Sequence, residues 1–132
     1  GFVKKMEKNR EVSSSLIKLS GIRLENIKNF TNATLKTELY YEVIKELVTA
    51  LLASEGYKSY SHECLVSFIR DKFSRKFTGM QIHLIDQLRV IRNDIAYRGI
   101  FVEDDFLNRN EDNILEIIKA LNELLGGPEN AQ

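Results

Sequence analysis

Apolar residues recur every three or four positions through most of this chain, in five blocks separated by glycine, asparagine and serine. The first block predicts a helix from about Lys4 to Phe30, with Val12, Leu16, Leu19, Ile27 and Phe30 along one side. The turn "TNAT" follows, and a second helix spans about Leu35 to Glu55. There Tyr40, Val43, Ile44, Leu47, Val48 and Leu51 make a broad apolar face before Gly56 stops it, which marks the central core helix. The loop "GYKSYSHE" enters a third helix: Ser59 or Ser61 can cap it, Glu63 suits its first turn, and Leu65, Phe68, Ile69 and Phe73 face inward. After "RKFTG" a fourth helix runs from about Met80 to Tyr97 and ends at Gly99. The last begins near Glu103, with a bend expected around "NRNEDN", and carries Ile114, Ile117, Ile118, Leu121 and Leu125 as far as Gly126 and Gly127. The only proline, Pro128, lies beyond all five. Long helices on short connections predict an all-α fold, an up-and-down antiparallel bundle of about five helices. One domain is expected, with its core over about residues 5–125 and a flexible tail at 126–132.

Composition narrows the class. Of 132 residues, 43% are hydrophobic and 29% charged, a globular balance, and no apolar run approaches the roughly 20 residues of a membrane span. No membrane partner is therefore expected. The opening "GFVKKMEKNR" has no continuous apolar stretch and does not read as a secretory signal. A single cysteine, Cys64, has no disulfide partner within the chain, which fits a reducing cytoplasm.

Net charge is zero but unevenly spread. Residues 1–30 hold seven Lys/Arg against three Glu, "RDKFSRK" four bases against one acid, and residues 103–132 eight acids against two bases. The molecule is expected to be dipolar, with a basic region suited to phosphate and an acidic end suited to a basic partner. Solvated helix faces explain the same charges without any ligand.

Residues 88–99, "LRVIRNDIAYRG", break the pattern. At 100° per residue from Leu88, Leu84, Ile91 and Ile95 fall within about 60° on one side, Ile85 and Ala96 within about 80° on the other, and Arg92 at about 40°. A guanidinium inside an apolar arc is costly unless it is paired or opens into a polar cleft. Arg92 is expected to extend past its neighbours, to pair with Glu42 or Glu46 of the second helix, or to line a site. Asn93 and Tyr97, four residues apart, share a face roughly opposite the core. A second copy packed on this helix would enclose Arg92 and Tyr97 in one crevice, a motive for a homodimer through the fourth helix.

A bundle of this length, with "GYKSYSHECLVSFI" entering a mid-chain helix and "LRVIRNDIAYRG" ending the next, resembles the HEPN family, the higher eukaryotes and prokaryotes nucleotide-binding domain. The resemblance covers about residues 5–125. Its most specific element is an arginine, often followed by a polar residue, with a histidine four to six residues later. The resemblance implies metal-independent endoribonuclease chemistry at two motifs meeting across a homodimer interface. For small prokaryotic members it implies a minimal nucleotidyltransferase partner in a toxin-antitoxin pair. Arg92 then takes the motif arginine, Asn93 the polar position beside it, and Arg89 and Arg98 flank them as contacts for nucleotide or RNA.

The histidine position holds Tyr97, and the next two residues are Arg98 and Gly99. Histidine titrates near neutrality, whereas a tyrosine hydroxyl in water has a pKa near 10. A positioned proton carrier is worth about 10²- to 10⁴-fold, so this exchange is expected to weaken or abolish cleavage while leaving Tyr97 able to stack on a base. In some HEPN proteins a tyrosine two residues after the histidine receives AMP from the nucleotidyltransferase; here that position is Gly99.

Three functions thus stand: a binding module for nucleotide or RNA with weak or absent nuclease activity, an active endoribonuclease toxin, and a purely structural interaction module. His62 is expected to cap or hydrogen-bond near Ser61 and Glu63, His83 to be solvated, and Cys64 to be a small buried residue. Tyr57 and Tyr60 either stack on a base or pack the loop onto the bundle. Arg70, Arg75 and Lys76 either reach phosphates or form an ordinary charged helix end. No Gly-rich phosphate loop or histidine-rich ligand spacing is present, so neither cofactor nor metal is expected.

Overall fold

A computed structural model of the chain describes residues 3–5, 7–59 and 62–126. Five helices form an all-α bundle: α1 (Arg10–Ile27), α2 (Ala33–Glu55), α3 (His62–Lys72), α4 (Gly79–Arg98) and α5 (Asp104–Leu124). The other four helices all pack on α2. That placement explains why α2 is buried on most sides: Val43, Ile44, Leu47, Val48, Leu51 and Leu52 are each at most 2% exposed. Ile69 of α3, Leu88 of α4 and Ile114, Ile117 and Leu121 of α5 close the core against it.

Local chemistry sets the helix ends. The Asn32 side chain accepts from the Thr34 and Leu35 amides to start α2, and Gly56, at φ 82°, ends it in the left-handed region. Thr78 and Gln81 form a reciprocal capping box at the start of α4. α5 runs unbroken through "NRNEDN", where a bend was expected, because Leu107, Ile114 and Ile118 keep one face of it continuously buried.

The first helix departs most from expectation. It spans 10–27 rather than 4–30, and Val3–Lys5 instead pairs antiparallel with Tyr57–Ser59 as two short strands, Lys4 opposite Lys58. Its buried positions are Ser13, Ser20 and Ile27, while Val12, Leu19 and Phe30 are 43%, 39% and 37% exposed. A helix packed on one neighbour buries a narrow strip, and serines seven apart let two backbones come close. The Ser20 hydroxyl satisfies itself by donating to the Ile17 carbonyl. Of the expected apolar side Ile27 lies in that strip, whereas Val12 and Leu19 each stand one residue, about 100°, away from its serines.

Two polar pins place α5. The Val102 amide donates to the Thr34 hydroxyl at 2.8 Å, and the Tyr40 hydroxyl donates to Glu111, which also pairs with Lys36 at 2.9 Å. Hence α2 and α5 start at the same end of the bundle. The Tyr40 hydrogen bond, then Lys36, hold the Glu111 carboxyl below the usual carboxylate range. A lowered carboxyl adds stability above its unfolded pKa, and the gain is lost as pH falls through the folded value. Tyr40→Phe is therefore expected to cost about 1–3 kcal/mol at pH 7. In urea titrations the gap between wild type and variant is expected to narrow as pH falls below the ordinary carboxylate range; a pH-independent gap would contradict the pin.

Candidate functional site

Glu42 and Glu46 lie one turn apart on α2 and share a face. Arg23 of α1 donates its Nε to Glu46 Oε2 at 2.8 Å. Glu46 is only 5% exposed, and its other oxygen has no hydrogen-bond partner. From the opposite side α4 brings Arg92, whose Nε stands 3.5 Å from Glu42 Oε1, while Lys45 meets Glu42 Oε2 at 2.7 Å. Arg89, less than a turn before Arg92, pairs with Asp86 at 2.9 Å. Tyr41 is buried among these charges. Its burial pushes the hydroxyl up to about 12, against the pull of Arg89, so it remains a neutral donor across the physiological range.

Among the sequence expectations for Arg92, pairing with Glu42 is the one observed; Glu46 is taken by Arg23. The pair is loose. A quarter of the Arg92 side chain reaches solvent, and one 3.5 Å contact uses little of a guanidinium's five donors.

The five expected site residues divide into three groups. Arg89 and Arg92 come together in the seam between α2 and α4. Tyr97 is five residues past Arg92, about 140° around the helix, and is 79% exposed on the outer side of α4 with half-buried Asn93. Arg98 stands apart, 3.6 Å from Asp94. Within one chain Arg92 and Tyr97 thus lie on different sides of α4. Val90, 44% exposed, shares that outer side of α4 with Tyr97.

His83 is exposed and Cys64 buried, as expected. Arg70 and Arg75 are exposed, but Lys76 lies 3.7 Å from Glu123, which gives part of the basic run a structural partner. Tyr57 packs on Phe68 with ring centroids 5.8 Å apart and lies under the Lys72 ammonium, as a packing residue does. Tyr60, Ser61 and the side chains of Ser59, His62 and Glu63 fall outside the described residues. No metal-binding group of three or more His, Cys, Asp or Glu occurs among the described residues, and no described helix is long and apolar enough to cross a membrane.

Sequence reading missed a cleft of about 310 Å³ between the end of α4 and the start of α5. Ile91, Ile95, Ile100, Phe101 and Phe106 line it, and Asp94, Glu103, Asp105 and Arg109 rim it. The available signal was "GIFVED", three successive apolar residues just after a helix-ending glycine.

No family model, curated protein or solved structure matches this chain.

The two arginine pairs differ in what their loss exposes. Arg23→Ala is expected to destabilise the protein by about 3 kcal/mol in chemical denaturation, because it leaves Glu46 buried and unpaired. Pairing it with Glu46→Gln should recover much of that loss. Arg92→Ala is expected to cost less than about 1 kcal/mol, since its contact is long and solvent-screened. Equal costs would mean that Arg92 is as structural as Arg23.

Proposed function

We propose that the chain is a HEPN-like homodimeric module that binds nucleotide or RNA, acts beside a minimal nucleotidyltransferase in a toxin-antitoxin-like pair, and cleaves RNA weakly or not at all. The observation that carries this reading is Arg92: a partly solvent-open arginine, loosely held by Glu42, with Arg89 beside it in the same seam. The donors that one long Glu42 contact leaves on Arg92 suit phosphate oxygens, which charge-assisted hydrogen bonds favour. The line of exposed Val90 and Tyr97 on the outer side of α4 supports a second copy docking there. The exposed Tyr97 ring at that face offers a surface on which a base stacks. Tyr97, standing where the HEPN motif has a histidine, is a poor proton carrier for attack by a ribose hydroxyl.

A structural reading draws on the same Glu42–Arg92 contact, taken as a stability device, and the two readings part in one experiment. Fluorescence anisotropy with single-stranded RNA is expected to show binding that weakens with salt and at least about tenfold with Arg92→Ala. Incubation with RNA in EDTA is expected to show little cleavage by the wild type and a gain with Tyr97→His. Wild-type cleavage abolished by Arg92→Ala would instead identify an active ribonuclease. Silence in both assays, with a stability loss on Arg92→Ala, would leave the structural module.

A further inference from the structure

The cleft between α4 and α5 lies on the flank of α4 away from the arginine seam. With Leu88 at zero, Arg92 and Arg89 sit at about 40° and 100° around the helix, Asp94 and Ile91 at about 240° and 300°. The outer face proposed for a second copy, at Val90 and Tyr97, falls near 200° and 180°, so it leaves the cleft open.

The cleft's wall is held by backbone. Gly99, at φ 63°, ends α4 and turns the chain back, its amide donating to the Asp94 and Ile95 carbonyls. Three residues on, the Val102 amide is fastened to Thr34 at 2.8 Å. Ile100 and Phe101, between these two fixed points, cannot retreat into the core: they are 42% and 81% exposed. An aromatic ring held in water beside half-buried Ile95 and Phe106 is an unpartnered apolar surface. At about 310 Å³ the cleft accepts one or two side chains and lies at the low end of the roughly 300–1,000 Å³ typical of ligand pockets.

Charge states what those side chains accompany. Asp94, Glu103 and Asp105 rim the cleft against Arg109 alone, and exposed Asp104 adds to the acidic side. Among the described residues neither Glu103 nor Asp105 has an ion-pair partner, and Arg98 only partly engages Asp94, at 3.6 Å. Carboxylates at the mouth of an apolar recess favour a cationic partner and repel an acidic one.

We infer that this cleft holds a short segment of a partner protein in which a bulky apolar side chain is flanked by lysine or arginine. The apolar side chain packs against Phe101 and Ile95, and the flanking cations meet Glu103 and Asp105. This site is independent of the arginine seam and of any nucleic acid bound there.

The test is to pan a phage-displayed library of random heptapeptides on the full chain and on a Phe101→Ser, Glu103→Lys, Asp105→Lys variant, all three positions being exposed. Recovered peptides are expected to share a Phe, Leu or Trp flanked by at least two cationic residues. The best of them, synthesised and titrated by anisotropy, is expected to bind the wild type at least tenfold more tightly than the variant, and more weakly as salt rises. No consensus, an acidic or wholly apolar consensus, or one that both proteins bind equally would overturn the inference. Sedimentation supplies a second arm: a wild-type dimer that Phe101→Ser converts to monomer would show that a second copy fills the cleft, which also overturns it.

Discussion

A helix enclosed by four others has almost no surface left on which to place charge, and α2 carries Glu42, Lys45 and Glu46 nonetheless. Each must be met where it lies. Arg23 meets Glu46 from α1, Arg92 meets Glu42 from α4, and Lys45 turns back along α2 to the same Glu42. The requirement that the buried Glu46 be paired thus ties α1 to α2, while the looser Arg92–Glu42 contact leaves on the α4 side a charged seam from which a binding function can be argued. At the other end of α2, Lys36 and Tyr40 impose the same condition on α5 through Glu111.

Most of the fold was legible because the strongest signals were long. α2 and α5 showed their apolar positions over several turns, and glycines ended α2 and α4 where the left-handed φ at Gly56 and Gly99 requires them. α1 was misread at Val12 and Leu19 because periodicity counts apolar side chains, whereas its buried strip holds two small polar ones, Ser13 and Ser20, beside Ile27. The short strands escaped notice because three-residue ladders leave no periodic trace, and Lys4 and Lys5 resemble the start of a charged helix. The site was half legible. Arg92 stood out as a charge in an apolar arc, and its pairing with Glu42 was among the alternatives. The cleft at Phe101 was not, since it arises from two segments meeting across a turn.

Helix α4 therefore works in more than one direction. Its core face is satisfied by Leu84, Ile85 and Leu88. One flank offers Arg89 and Arg92, the opposite flank offers Ile91, Ile95 and carboxylates, and the outer face offers Val90 and Tyr97. Opposite chemistries on the two flanks of one helix allow an anionic and a cationic ligand to be held without competing, provided each stays on its own side.

The narrow serine strip of α1 has a dynamic consequence. Ile27 is the only apolar side chain of α1 that is fully buried, and hydrophobic contact is what makes the opening of a helix costly. Beside it α1 is held by half-buried Leu24 and by two polar contacts, the Asn9 amide on the Ala53 carbonyl and Arg23 on Glu46. α1 is thus the helix whose amides should exchange with solvent ahead of the rest, through a partial opening that leaves α2, α4 and α5 assembled. When it opens, the Glu46 carboxylate gains water in place of its arginine, so the same event that frees α1 also relieves the least satisfied charge in the core.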